Sequence, residues 1–221
     1  MDHVEIARAE SPRGEVLLRE RREANAPTVL ELRVNGVFVM DTRETTTERA
    51  LAQAALELVE HPTHVLVGGL GLGFTMREVL GDLRVETCTV VEIEQVVVDW
   101  MRDGTIAHGP KMLADQRLSV IVADVAVALA EAGEAAYDLV LLDVDNGPGY
   151  LVHEENEALY KEPFLHAAHR ATAEVLVIWS ASEAPQLQAA MEHVFGNASA
   201  TSYPVRLGDR DEHYWLYSSR K

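Results

Sequence analysis

Short apolar runs alternate with longer amphipathic stretches through most of this sequence. From residue 64 onward the apolar runs fall at 65–68, 90–93, 119–122, 139–142 and 175–179. Strands that are apolar throughout are buried on both faces, as in a parallel sheet covered by helices. Two further runs, 201–206 and 213–218, flank a turn-like segment and predict an antiparallel hairpin at the sheet edge. The pattern predicts an α/β fold with a mostly parallel, seven-stranded sheet.

The start of the chain has a different pattern. Between residues 30 and 40, apolar and polar positions alternate with a period of two, and Asn35-Gly36 interrupts the alternation. Asn-Gly is a strong signal for a two-residue type I′ hairpin turn. The sequence therefore predicts a small N-terminal β-hairpin domain at 1–44 and a larger domain at 45–221.

A helix is expected to join the two domains. Thr45 and Glu48 have the spacing of a capping box, and an alanine- and leucine-rich run follows them to about residue 60. In a capping box the side chain of the acid accepts a hydrogen bond from a backbone amide at the start of its own helix. Glu48 is therefore expected to cap the N-terminus of this helix.

Composition narrows the possible functions. Nineteen Lys and Arg against 36 Asp and Glu give a formal charge of −17, which repels phosphate backbones and anionic membranes and attracts small cations. No apolar run reaches the roughly 18 residues that span a bilayer, and residues 1–10 are charged where a signal peptide is apolar. The single cysteine, Cys88, excludes an intrachain disulfide and is expected to be buried. We expect a cytoplasmic protein that binds neither nucleic acid nor membrane.

A glycine-rich turn follows the first predicted strand of the larger domain. Gly69, Gly71 and Gly73 alternate with apolar residues and lead into a helical stretch. Missing side chains let a ligand approach the backbone, and amides at a helix start favour anionic or polar groups. The turn by itself fits a dinucleotide fold, a methyltransferase fold or a tight turn without a ligand.

Acidic residues stand at the ends of the next three predicted strands. Glu92 and Glu94 follow the glycines by about twenty residues, as ribose-binding acids do, while Asp124 and Asp143 end the later strands. Glu92 or Glu94 can accept from the ribose hydroxyls of an adenosine and Asp124 from its adenine, although Glu94 and Asp124 can also simply cap the helices that follow. A dinucleotide needs a second half-fold for which the chain has no room. The pattern favours a mononucleoside such as S-adenosylmethionine.

Several segments of this chain resemble the spermidine synthase family. They are the glycine turn and its helix (65–80), Val91 to Glu94, Ala123-Asp124, 137–143 and 159–165, together with 11–14, 35–37 and 42–44 near the front. The resemblance covers nearly the whole chain in order. It implies a Rossmann-like class I methyltransferase fold behind an N-terminal β-hairpin domain, often as a homodimer. It also implies a transferase of polyamine biosynthesis that moves an aminopropyl group from an S-adenosyl sulfonium donor to a small amine.

The resemblance also implies roles for individual residues. Glu92 would bind the ribose and Asp124 the adenine, with Ile93 and Val125 beside them in the cofactor site. Asp143 matches the family's catalytic aspartate, which orients and deprotonates the attacking amine. A carboxylate suits that task because it can hold the ammonium and then accept its proton. No metal is expected, since the sulfonium already supplies the leaving group. The predicted substrate-binding residues are Glu48, Asp145, Asn146, Tyr150 and Trp179.

The chain departs from the family at positions that face the ligands. Leu72 replaces an aspartate that holds the amino group of decarboxylated S-adenosylmethionine, Glu48 aligns with a tyrosine, and Val39 and Arg49 align with glutamines. An arginine fork pairs well with the carboxylate that intact S-adenosylmethionine retains, so Arg49 is a candidate cofactor-binding residue. Alternatively, Glu48 and Arg49 are surface residues of the first helical turn.

Three functions remain open from the sequence. The leading one is aminopropyl transfer to a small amine, which releases methylthioadenosine. The second is a methyltransferase, releasing S-adenosylhomocysteine, or a 3-amino-3-carboxypropyltransferase, either of them using intact S-adenosylmethionine. The third is a non-catalytic protein that binds an adenosine ligand.

Overall fold

The computed structural model of the chain describes residues 2–24, 26–144, 147–148, 151, 154–207 and 210–221. Their strands are β1 (Asp2–Ser11), β2 (Gly14–Arg22), β3 (Val29–Val34), β4 (Val37–Asp41), β5 (His64–Gly68), β6 (Thr87–Glu92), β7 (Leu118–Val122), β8 (Tyr137–Leu142), β9 (Thr172–Ser180), β10 (Ser199–Leu207) and β11 (Arg210–Arg220). The helices are α1 (Thr46–Glu57), α2 (Phe74–Gly81), α3 (Gln95–Asp103), α4 (Gly109–Met112), α5 (Val125–Glu131), α6 (Glu162–Ala171) and α7 (Pro185–Phe195), and a 3₁₀ helix spans Glu154–Tyr160.

The N-terminal strands form a four-stranded antiparallel sheet in the order β1-β2-β3-β4. Asn35 and Gly36, between β3 and β4, have φ angles of 50° and 75°, and Val34 pairs with Val37 across the turn. Positive φ at both central residues is what a type I′ turn requires, so the predicted hairpin is confirmed. The pattern did not reveal β1, because that strand is exposed along most of its length.

The larger sheet has seven strands in the order β10-β11-β9-β8-β5-β6-β7. Strands β5 to β9 are parallel, and β11 pairs antiparallel with both β9 and β10. The predicted α/β class and the closing hairpin are therefore confirmed. Because neighbouring strands of β5 to β9 run parallel, their carboxyl ends meet at one edge of the sheet.

The two sheets share one hydrophobic core. Val16, Leu18 and Leu32 of the first sheet belong to the same buried cluster as Leu51 of α1 and Leu72 of the glycine turn. A second cluster, built largely from α6, α7 and the other face of the larger sheet, packs on the opposite side. The predicted domain boundary at residue 44 falls between β4 and α1, and the packing places the first sheet over the turn that follows β5.

The start of α1 differs from the prediction. Thr45 occupies the N-cap position but makes no side-chain capping hydrogen bond, so the predicted capping box is wrong. Glu44 instead accepts from the Thr46 amide at 3.0 Å, and the Glu48 side chain accepts from the Thr47 hydroxyl at 3.0 Å. Glu48 also accepts from its own backbone amide, and no hydrogen bond among the described residues joins it to Thr45 as a capping box requires.

Two expectations about the whole chain concern Cys88 and membrane spans. Cys88 is fully buried in β6, as expected, and burial raises the pKa of its thiol to about 12. A thiol that stays protonated at neutral pH is a poor nucleophile and metal ligand.

None of the helices in the described residues has the length and apolar character to cross a membrane.

Candidate active site

A cavity of about 510 Å³ lies between the two sheets. Its floor is the edge where β5, β6, β7, β8 and β9 end, and its roof is formed by β3, β4 and the first turn of α1. Parallel α/β sheets bind their ligands at this edge. The N-terminal sheet thus completes a site that the larger domain begins, with side chains such as Phe38, Val39 and Met40.

The glycine turn is shaped by its packing against the protein. Gly69 has a φ of 93° and Gly71 a φ of 49°. A Cβ at Gly69 would collide with the carbonyl oxygen of Asp143, and one at Gly71 would lie 2.5 Å from the Met40 sulfur. The expectation that missing side chains make room for a ligand is therefore corrected at these positions, since protein atoms occupy that room. Gly69 and Gly71 line the cavity.

Gly73 lies outside the cavity wall, which corrects its prediction as a cofactor contact. It begins α2 with a φ of 85°, and a Cβ there would meet Met101 at 3.0 Å. Gly73 therefore connects the glycine turn to α2.

The amides of the glycine turn already have acceptors within the protein. The bonds are Gly69 N to Val91 O (2.8 Å), Leu70 N to Glu92 Oε2 (2.8 Å), Gly71 N to Glu92, Leu72 N to Met40 Sδ (3.1 Å) and Gly73 N to Leu70 O (2.8 Å). A phosphate cradle needs unpaired amides aimed at the ligand. This turn therefore fits a nucleoside better than a dinucleotide.

Glu92 is held in a fixed orientation at the end of β6. It is 8% exposed, and its two oxygens accept from the amides of Leu70 and Glu94, each at 2.8 Å. Burial raises the pKa of Glu92, while these backbone hydrogen bonds oppose the shift. Each carboxylate oxygen has a second lone pair, so Glu92 can still accept hydroxyl groups on the side that lines the cavity.

Ile93 and Glu94 follow Glu92 along the cavity wall. Glu94 does not cap α3 with its side chain. It accepts from the Ser11 hydroxyl at 3.2 Å and lies 3.8 Å from the Arg13 guanidinium. These contacts tie the β1–β2 turn to the end of β6.

Asp124 lines the cavity and also caps a helix. Its Oδ1 accepts from the Ala126 amide at 2.8 Å at the start of α5. The capping alternative is therefore confirmed. The cap uses Oδ1, and a carboxylate has a second oxygen that can accept from a ligand. Val125, the first residue of α5, is buried and lines the cavity beside it.

Asp143 and Glu48 line the same cavity. Asp143 follows β8, and its Oδ2 accepts from the Thr75 hydroxyl of α2 at 3.2 Å. Burial raises the pKa of Asp143 from 3.8 to about 6. Burial also raises the pKa of Glu48 from 4.5 to about 7, and the negative charge of Asp143 adds to that shift. Both carboxyls thus titrate close to neutral pH.

Acidic side chains dominate the cavity wall. Among the described residues that line it, eight are acidic and one, Arg13, is basic; the acids are Asp41, Glu44, Glu48, Glu92, Glu94, Asp124, Asp143 and Glu212. Opposite charge favours a cationic ligand, and the low dielectric of a cavity strengthens that preference.

An aromatic pair forms part of the cavity wall. Trp179, at the end of β9, packs edge-on against Tyr214 of β11, with ring centroids 4.9 Å apart, and both line the cavity. Sequence reasoning predicted Trp179 but missed Tyr214 and Glu212, which lie in the closing hairpin. Their nearness follows from the pairing of β11 with β9, which no local signal marks. Thr75 and Arg13 were missed as well.

Arg49 does not reach the cavity. Its guanidinium lies 3.6 Å from Glu78 of α2, and its side chain is 41% exposed. This placement corrects the hypothesis that Arg49 pairs with the carboxylate of intact S-adenosylmethionine. It agrees with the alternative of a surface residue for Arg49, but not for Glu48, which lines the cavity.

Leu72 also points away from the cavity. Its side chain is fully buried in the core shared by the two sheets, and its carbonyl oxygen lies 2.8 Å from His108 Nε2. The predicted substrate residues Asp145, Asn146 and Tyr150 lie outside the described residues.

Known proteins share both the sequence pattern and the fold. Residues 44–203 match the family described as spermine/spermidine synthase domain. A polyamine aminopropyltransferase of Pseudomonas syringae pv. tomato is 30% identical over 126 residues, which cover 56% of this chain and 41% of that protein. Spermidine synthase 2 of Arabidopsis thaliana is 29% identical over 143 residues, covering 62% of this chain and 39% of that protein.

The chain spans about two fifths of the length of these two relatives. Its fold matches the crystal structure of spermidine synthase from Thermotoga maritima with a TM-score of 0.80 and 18% identity, over 99% of this chain and 73% of that one. Since the family match takes in well over half of the 221 residues, the chain belongs to the spermine/spermidine synthase family.

Proposed function

We propose that this protein transfers the aminopropyl group of decarboxylated S-adenosylmethionine to a small amine and releases methylthioadenosine. The observation that carries this proposal is the placement of Asp143 in the same acidic cavity as Glu92 and Asp124, the carboxylates expected to hold the nucleoside. Family membership supports it. With Arg49 outside the cavity, the alternatives that use intact S-adenosylmethionine lose the argument drawn from that residue, and the family that residues 44–203 match does not favour them.

The nucleoside end of the cavity fits an uncharged adenosine. Glu92 is already oriented by three amides, so it loses little conformational freedom when it accepts ribose hydroxyls. Asp124 offers Oδ2 to the adenine amino group, and Ile93 and Val125 flank the two acids. The donor, once bound here, supplies an electrophilic carbon next to a sulfonium leaving group.

The acceptor end of the cavity suits an aliphatic ammonium. Asp143 provides a carboxylate, and Trp179 and Tyr214 provide aromatic walls, which attract cations. An amine attacks only after it has lost its proton, and a carboxylate whose pKa lies near 6 accepts a proton better than one of ordinary acidity. Asp143 would thus hold the ammonium, orient its nitrogen and take the proton.

Asp143→Asn tests this assignment. We expect turnover to fall by roughly 10² to 10⁴, the usual contribution of a positioned acid or base, because the amide cannot accept the proton. Donor affinity should stay within about threefold, since Asn keeps the shape of the side chain. The measurement is methylthioadenosine release from decarboxylated S-adenosylmethionine and 1,4-diaminobutane, with calorimetry for the donor. Unchanged turnover would remove Asp143 from the mechanism.

We also propose that the protein acts in the cytoplasm and forms a homodimer. The composition supports the first statement and the family resemblance supports the second. Size-exclusion chromatography with light scattering measures the oligomeric state directly.

A further inference from the structure

Most acids of the cavity are occupied by partners within the protein. Asp41 lies 3.1 Å from Arg21, Glu94 is held by Ser11 and Arg13, and Glu92 accepts from backbone amides. Asp143 and Glu48 differ from these. Asp143 accepts from the Thr75 hydroxyl, and Glu48 accepts from the Thr47 hydroxyl and from its own backbone amide. Among the described residues neither carboxylate forms an ion pair.

The proposed reaction needs an anion beside the reacting nitrogen at two moments. The acceptor arrives as an ammonium, becomes a neutral amine, and regains a positive charge as its bond to carbon forms. A single carboxylate that has taken the proton is neutral when that second positive charge develops. Charge that develops in the transition state is stabilised only by a group that is already in place.

We propose that Glu48 and Asp143 form a carboxylate pair that accepts the proton of the acceptor amine and remains anionic throughout the reaction. This inference rests on the proposed function and adds Glu48 to it. The pair stands on the geometry of the cavity: Asp143 comes from the end of β8 and Glu48 from the first turn of α1, and the two side chains line the same cavity. No tyrosine hydroxyl or metal is needed for the proton.

The ammonium gives one proton to the pair, whose charge goes from −2 to −1. The nitrogen lone pair then forms a bond to the carbon next to sulfur, and the carbon–sulfur bond breaks with its electrons going to sulfur, which becomes a neutral thioether. The product nitrogen is a secondary ammonium, and it faces the remaining negative charge. The proton leaves the pair for solvent as the product departs.

The electrostatic surroundings favour a pair that titrates as a unit. Burial brings both carboxyls near neutral pH, and the charge of Asp143 adds to the shift of Glu48, with pKa values of about 6 for Asp143 and about 7 for Glu48. Groups that interact strongly share their protons. The other titratable groups that line the cavity are Arg13, Asp41, Glu44, Glu92, Glu94, Asp124, Glu212 and Tyr214. Arg13, the one cation among them, lies 3.8 Å from Glu94, and it is not among the groups that shift the pKa of Glu48 or Asp143.

Glu48→Gln tests the pair through the pH dependence of kcat/KM. Between about pH 5.5 and 8.5 a free aliphatic amine stays protonated, so the profile reports the enzyme. The wild type should lose activity at acidic pH with a limiting slope of two, because both carboxyls must be ionised. In Glu48→Gln the slope should fall to one, and kcat should drop about 10- to 100-fold, the worth of a hydrogen bond to a charged group.

Two further variants separate this role from a structural one. Glu57→Gln changes an exposed acid on the same helix and should leave both kcat and the slope as in the wild type. Glu48→Asp keeps the charge and should recover part of kcat and the slope of two. A Glu48→Gln enzyme with kcat within twofold of the wild type and a slope of two would overturn the proposal.

Calorimetry tests the pair independently of turnover. Binding of 1,4-diaminobutane near pH 7, compared in two buffers of different ionisation enthalpy, should release about half a proton from the wild type, because Glu48 is about half protonated there. Glu48→Gln should release much less. If the wild type binds the diamine with proton release but forms no methylthioadenosine, the proposed function fails and the pair stands as an amine site. If the wild type releases no proton, the pair is refuted.

Discussion

The sequence and the structure indicate different roles for Glu48. Its spacing from Thr45 fits a capping box, and as a helix-end residue it would be exposed and have an ordinary pKa. The structure turns the carboxyl into the cavity, where burial and Asp143 raise its pKa to about 7. A buried acid of this kind destabilises the fold above its pKa and is retained where it serves a ligand.

This cost predicts a pH-dependent gain in stability for Glu48→Gln. The folded-state pKa of about 7 lies above the ordinary 4.5, so between these values the folded state binds more protons and its stability falls as pH rises. Glutamine resembles the protonated acid. At about pH 8 the variant should be more stable by about 1 to 3 kcal/mol, and at about pH 4.5 the difference should vanish. Urea denaturation at both pH values measures this difference in the free energy of unfolding, with Glu57→Gln as the control. A gain in stability that does not depend on pH would show that the charge of Glu48 is not its cause.

At the scale of elements, the segment from β5 through the glycine turn to α2 positions Asp143 in the cavity. Gly69 fits directly against the backbone of Asp143, and Thr75 in the first turn of α2 holds the Asp143 carboxylate. The sequence predicted the turn from its glycines but attributed them to a ligand. The packing shows that they bring one strand end against the next.

Gly69→Ala should therefore damage both fold and site. Its φ of 93° is unfavourable for alanine, and the new Cβ would collide with the carbonyl of Asp143, so we expect a loss of about 2 kcal/mol or more together with reduced turnover. Gly81→Ala, at the other end of the same helix, places its Cβ in open space. That control should lie within about 1 kcal/mol of the wild type, on the stabilising side. Equal stabilities of the two variants would show that the turn can relax.

At the scale of the whole molecule, two features meet at the cavity. The N-terminal sheet covers the edge of the larger sheet, so the site is lined from both domains. The chain as a whole carries a formal charge of −17, and eight acids line the cavity. A field of this sign concentrates cations at the entrance and adds to the local preference for an ammonium.

Salt should weaken the capture of a cationic acceptor. Raising NaCl from about 50 to about 500 mM shortens the Debye length severalfold, so kcat/KM for 1,4-diaminobutane should fall by about 3- to 10-fold. The affinity for the uncharged product methylthioadenosine should change by less than about twofold. Steady-state kinetics and calorimetry over the same salt series measure the two quantities. A flat kcat/KM would show that the acceptor is held only by the shielded interior of the cavity.

The sequence by itself determined the parts of this protein that depend on local pattern. Continuous apolar runs predicted the five parallel strands, Asn35-Gly36 predicted the hairpin turn, and the acids at the strand ends marked the edge where Glu92, Asp124 and Asp143 line one cavity. These could be predicted because neighbouring parallel strands place their carboxyl ends together whatever the details of packing.

Only the tertiary structure decided which side chains from other parts of the chain face the edge where the parallel strands end. The rotation of α1 sends Glu48 into the cavity and Arg49 toward Glu78. The pairing of β11 with β9 brings Tyr214 to Trp179. Adjacent residues on a helix point in directions about 100° apart. Which of them meets the ligand therefore depends on how the helix packs, and the distant segments that set this packing leave no mark in the local sequence.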